Sequence, residues 1–170
     1  GTDHLGRDLL SRLIDGMRTS IVTALGGSWV GAVIGTTLGM MAAHFRGIVD
    51  DAIMTLVDFQ ASMPFLIIAL AVLAFFGNNF VLFIVLVGLN GWEVYARLTR
   101  GQVMSVGARG YAMAVRLLGA RPTRIYLRHI LPNIASVLLV QLTLSFPETI
   151  LLETSLSFLG LGVQPPNTSL

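Results

Sequence analysis

Twenty-five consecutive residues between Arg18 and His44 carry no charge, and thirty-four more lie uncharged between Asp58 and Glu93. At 1.5 Å per residue, the first stretch can cross a hydrocarbon layer of about 30 Å with some tilt, whereas the second is too long for one crossing. Gly77-Asn78-Asn79 is a turn signal near the middle of the second stretch and divides it. The reading is therefore four membrane-spanning helices, over about 19–43, 52–76, 80–99 and 130–159. Pro64 lies inside the second, Glu93 and Arg97 fall towards the far end of the third, and Pro147, Glu148 and Glu153 interrupt the fourth. An external segment, 1–18, precedes them, and a cytoplasmic loop over about 100–129 joins the last two. Composition agrees: 12% of residues are charged, where a soluble domain carries about 25%, and 54% are hydrophobic.

The charged residues exclude several functions. No cysteine is present, which removes disulfides, thiolate metal sites and cysteine nucleophiles. All eleven basic residues are arginine, so a phosphate-binding GxxxxGK[ST] loop is impossible, and any ATP must be bound by another subunit. Seven of the arginines fall between Arg97 and Arg128, where there is no acid. A basic loop between long uncharged runs points to the arginine excess of cytoplasmic loops and not to nucleic acid. That orientation puts the turn containing Arg46 in the cytoplasm, and Gly77–Asn79 and both termini outside. The chain starts at Gly1 without a signal-peptide pattern and closes on a Pro165-Pro166-Asn167 loop composition. A fragment lacking one helix at each end is expected.

The basic loop is about 30 residues long, where helix connections in bundles take about 2–8. Gly110–Gly119 reads as a short helix closed by Gly119, and a second helix restarts at Pro122 with Arg121, Arg124 and Arg128 on one face. Such an element either lies on anionic headgroups or docks a cytoplasmic partner. Gly27, Gly31, Gly35 and Gly39 recur every four residues and mark a face for close helix packing. A serine-hydrolase pairing of Ser28 with His44 is excluded, because sixteen residues of helix separate them by about 24 Å. His4, His44 and His129 have no partners at metal-ligand spacing. Asp58, Glu148 and Glu153 lie in or beside spans, where ionised groups face a pathway or a partner, or serve an ion or proton relay.

Three separated segments carry a resemblance that covers essentially the whole chain. Gly119-Ala120, followed by Leu131-Pro132-Asn133 with Pro132 thirteen residues beyond Gly119, resembles the cytoplasmic loop motif of ATP-binding-cassette importer permeases: Glu-Ala-Ala, three residues, Gly and a downstream Leu-Pro. The opening Gly1-Thr-Asp-His-Leu-Gly-Arg-Asp-Leu-Leu-Ser-Arg12 and the closing Leu156-Ser-Phe-Leu-Gly-Leu-Gly-Val-Gln-Pro-Pro166 are similar to the C-type subfamily that imports dipeptides, oligopeptides and nickel. Met113-Ala114-Val115 departs from the usual Glu-Ala-Ala, so the contact normally made by that glutamate is absent or replaced.

The resemblance implies an all-α, polytopic transmembrane helix bundle of the type I (MetI-like) importer-permease fold, with four of an expected six spans in this chain. It implies no catalysis and no cofactor here, since ATP and Mg would be bound by two cytoplasmic ATPase subunits. The other implied partners are a second permease subunit, an external substrate-binding protein and the lipid bilayer, in a prokaryotic inner membrane. Tyr111, Ala112, Met113, Ala114, Val115, Leu118, Gly119 and Ala120 would form the coupling helix against an ATPase. Asp58 and Glu153 fall where the subfamily often has acids and are pathway candidates. The expected cargo is di- or oligopeptide, with nickel as the alternative within the subfamily and an ATPase-independent, ion- or proton-coupled carrier as the alternative outside it.

Overall fold

The computed structural model describes residues 8–77, 79–107 and 122–159. Every regular element among them is a helix: α1 is Leu9–Phe45, α2 Gly47–Ser62, α3 Phe65–Phe76, α4 Phe80–Leu89, α5 Trp92–Gly107 and α6 Pro122–Ile125. A π-helical turn, Tyr126–Ile130, then leads directly into α7, Leu131–Phe158. The expected coupling helix 110–119 lies outside the described residues, with Ala120, Arg121 and Asn78.

Two stretches, Gly16–Phe45 and Tyr126–Phe158, are long and apolar enough to cross a membrane singly. Two further pairs, Gly47–Ser62 with Phe65–Phe76 and Val81–Leu89 with Trp92–Gly107, meet the same test only when taken together. Two of the expected spans, 52–76 and 80–99, therefore each contain a break. The first break follows from Pro64, which disfavours helical backbone at the residue before it. Met63 is extended at φ −94, ψ 135, and Pro64 opens α3. The second break is at Asn90-Gly91, where Gly91 adopts φ 102 and its N–H donates to the Glu93 carboxylate at 3.0 Å. Glu93 thus caps the start of α5. Helix α1 begins at Leu9, inside the segment expected to precede the first span.

Pro132 lies in the first turn of α7 and has no N–H to offer the preceding turn. There the backbone is widened, and the Leu131 N–H reaches the carbonyl of Tyr126. Arg124 and Arg128 therefore stand on either side of a change in helical pitch, both exposed, while Ile125 between them is buried.

The chain forms two compact units. Among the described residues, one comprises 8–30, 64–77, 79–90 and 144–159. Its core is Ala69 and Leu73 of α3, Phe83, Leu86 and Val87 of α4, and Leu156 of α7. Gly27 is buried there, and a β-carbon on it would meet Val87 Cγ1 at 2.6 Å. Gly88 answers from α4, where a β-carbon would meet Val30 Cβ at 2.7 Å.

Among the described residues, the other unit comprises 31–63, 91–107 and 122–143. One core cluster joins Ala43, Val103, Val106, Ile125, Ile130 and Ile134, and another joins Val57, Trp92 and Ala96. Gly31, Gly35 and Gly39 are all buried. A β-carbon on Gly35 would strike the Trp92 carbonyl and come within 2.6 Å of Tyr95 Cβ. One on Gly39 would strike the Ala96 carbonyl and come within 2.8 Å of Thr99 Cβ. Here the helix backbones of α1 and α5 touch.

Candidate functional site

Helix α2 carries its acids on two different faces. At 3.6 residues per turn, Asp50 shares a side with Val57 and turns towards the protein, whereas Asp51 and Asp58 fall on an outer side with Thr55 and Ser62. Asp50, 8% exposed, receives both Nε and Nη2 of Arg100 on its two oxygens, at 2.5 and 2.6 Å. This bidentate pair fastens the start of α2 to α5 and is largely shielded, with Arg100 and Asp50 side chains 33% and 12% exposed.

The second pair differs. Arg97 Nη2 meets Asp58 Oδ1 at 2.8 Å through a single contact, and the two side chains are 54% and 70% exposed. Thr55 and Ser62 donate to the carbonyls of Asp51 and Asp58, both at 2.7 Å, which satisfies the hydroxyl protons and leaves their oxygens able to accept. An ion pair and two hydroxyls on the outside of an apolar helix are what a membrane protein shows where it meets water or a polar partner.

Glu153, the other pathway candidate, has a different setting. It is fully buried in the first unit, where Ser20 of α1 donates to one carboxylate oxygen at 2.9 Å and Ser157 to the other at 3.0 Å. One turn away, Thr149 and Ser28 hydrogen-bond at 3.2 Å, so α1 and α7 share a two-rung polar seam. Glu148 on the same helix is exposed.

His44, at the end of α1, bonds through Nδ1 to the Tyr126 hydroxyl at 3.1 Å, and their rings meet edge to face. Beside them runs an open groove of about 480 Å³, lined by Thr37, Met40, Met41, Phe45, Pro122 and Leu127. Leu131 packs against the core cluster that holds Ile130 and Ile134, while Pro132 and Asn133 are exposed. The Leu-Pro-Asn motif thus starts the last long helix. Among the described residues, no three His, Cys, Asp or Glu side chains could together hold a metal ion.

Arg97, Arg100, Ser20 and the caps were not singled out by sequence reasoning. Hydrogen bonds between residues 133 positions apart leave no local signal, but the 4-3-4 spacing of Asp51, Thr55, Asp58 and Ser62 was there to be read.

Comparison with known proteins adds a family. Residues 35–170 match the model for the binding-protein-dependent transport system inner membrane component. The chain is 41% identical over 166 residues, 98% of its length, to the di/tripeptide transport system permease protein DppC of Pseudomonas aeruginosa, covering 55% of that protein. It is 37% identical over 166 residues to the glutathione transport system permease protein GsiD of Pectobacterium atrosepticum, covering 98% of the chain and 55% of the relative. Against the oligopeptide transport system permease protein OppC of Haemophilus influenzae it is 35% identical over 169 residues, 99% of the chain and 54% of the relative. The chain spans about half the length of the curated relatives it matches.

Proposed function

The chain belongs to the family of binding-protein-dependent transport system inner membrane components, and on that premise we propose that it is part of a permease subunit that carries di- or oligopeptides across the inner membrane in an ATP-driven importer. The observation that carries this reading is the alignment of nearly the whole chain with permeases named for di/tripeptide and oligopeptide transport, at 35–41% identity. Those names favour peptide cargo over nickel.

The partners are a second permease subunit, two cytoplasmic ATPase subunits and an external binding protein. ATP and Mg belong to the ATPases, because this chain lacks the lysine of a phosphate-binding loop. Residues 110–119 dock the permease to an ATPase, and the apolar positions Tyr111, Ala114, Val115 and Leu118 face its groove. In that arrangement ATPase closure tilts the membrane helices as a body.

The test is transport in proteoliposomes containing the full permease pair, with and without the ATPase subunits. Peptide uptake that needs both the ATPase and ATP supports the importer. Uptake driven by an ion or proton gradient with no ATPase present supports a carrier built on the intramembrane acids and overturns it.

A further inference from the structure

Helix α2 has two chemically different outer faces. With 100° between successive residues, Asp51, Thr55, Asp58 and Ser62 fall within one arc of about 60°. The neighbouring arc holds Ile48, Ala52, Leu56 and Phe59, all exposed and apolar. The apolar arc is a surface for hydrocarbon. The polar one is not: Asp58 lies six residues inside the expected span of 52–76, about 9 Å along the helix from its start and so within a layer of about 30 Å. Charged side chains at that depth face a water-filled cavity or a polar partner.

Two further observations show what the polar arc could hold. The Asp58–Arg97 pair is monodentate and open, in contrast to the bidentate and shielded Asp50–Arg100 pair on the same two helices. Breaking the open pair frees one carboxylate and one guanidinium that are already more than half exposed, and the Asp50–Arg100 contact between α2 and α5 stays in place. One turn beyond Arg97, Gly101 is exposed, and a β-carbon built on it meets nothing within 4 Å.

From this geometry we infer that Asp58 and Arg97, with the hydroxyls of Thr55 and Ser62, form a binding station on the wall of the translocation pathway for a zwitterionic solute. The ammonium end displaces Arg97 from Asp58, and the carboxylate end takes the freed guanidinium of Arg97. The ion pair closes again when the solute leaves, so the unloaded station keeps its charges compensated. The hydroxyl oxygens of Thr55 and Ser62 accept from the solute's N–H groups. Asp50 and Arg100 take no part and hold the two helices in register. The inference rests on the permease reading and deepens it by giving the pathway a wall and the cargo a recognised chemistry.

The test uses the full transporter with its other chains made cysteine-free, as this chain already is. Single cysteines replace Thr55, Ser62, Leu56 and Phe59, and each is exposed to a water-soluble, membrane-impermeant sulfonate thiol reagent, without the binding protein. Thr55→Cys and Ser62→Cys are expected to react at least about tenfold faster than Leu56→Cys and Phe59→Cys. Glycylglycine should then slow the reaction at Thr55→Cys and Ser62→Cys about threefold or more, and N-acetylglycylglycine amide, which has neither charged end, should not. Equal reactivity on the two faces overturns the pathway wall and instead places the polar arc against lipid or another subunit. Fast reaction with no protection, or with equal protection by the neutral analogue, overturns the zwitterion station. The labelling is independent of the energy source, so its failure leaves the dependence of transport on the ATPase to be judged separately.

Discussion

Ser20 is 1% exposed and donates to a carboxylate that is itself fully buried, so the two residues depend on each other. Glu153→Ala deletes the acceptor and leaves the Ser20 hydroxyl buried without it, which costs about 1–3 kcal/mol. Glu153→Gln keeps one oxygen in place and should cost less than half as much. The thermal unfolding midpoint of the purified transporter distinguishes them, and equal losses for Ala and Gln would contradict the seam. Thr99, against Gly39, has the opposite character: its hydroxyl is buried with no partner among the described residues, and its Cβ lies against α1. Thr99→Val keeps that packing and removes the orphan, so it should leave the midpoint unchanged or raise it, for a stability gain of about 1 kcal/mol at most.

At the level of elements, the glycines separate into those that make room and those that do not need it. Gly35→Ala should disrupt the α1–α5 contact, because the new methyl meets backbone atoms that cannot move aside. Gly101→Ala faces open space in a helix interior and should be neutral or stabilising by about 0.5–1 kcal/mol. Copurification of the partner subunits with each variant is the readout, and intact assembly in Gly35→Ala would refute the close packing. The four-residue glycine repeat is visible in the sequence, whereas which helix each glycine meets is not, and the break between α3 and α4 was legible because glycine and asparagine favour turns. Asn79 does cap α4, accepting from the Val81 N–H at 2.9 Å. The break at Asn90-Gly91 was hidden, since one glycine inside an apolar run is also common in an unbroken membrane helix. Glu93 was read as an acid inside a span, and its reach back to the Gly91 N–H is visible only once α5 is seen to start there.

For the whole molecule, the arginine excess between Arg97 and Arg128 is expected to hold that loop in the cytoplasm. Cysteines at positions 109 and 121 should resist an impermeant thiol reagent added to intact cells and react in inverted vesicles, whereas one at position 164 should do the reverse. Labelling of position 121 from outside would invert the topology. The proposed coupling to an ATPase makes a separate demand. Gly119 closes the docking helix in the sequence reading, and Gly119→Val should abolish stimulation of ATP hydrolysis by the loaded binding protein while assembly persists. A basic segment that merely rests on lipid would tolerate that change and respond instead to the loss of Arg121, Arg124 and Arg128. That the apolar stretches form helices fit to cross a membrane was legible because an apolar medium forbids charge over a fixed length, a constraint written directly into the chain. Which acids are paired and which are open was not, because that depends on helices brought together from distant positions.

The backbone contacts at Gly35 and Gly39 also have a mechanical meaning. Most helix pairs meet through a layer of side chains, and rotamer changes in that layer absorb small displacements as a soft gasket would. Where backbone rests on backbone there is no such layer, and the packed interior around it has little compressibility. The second half of α1 and the first turns of α5 therefore behave as a welded joint. A push on either one is delivered to the other without slack.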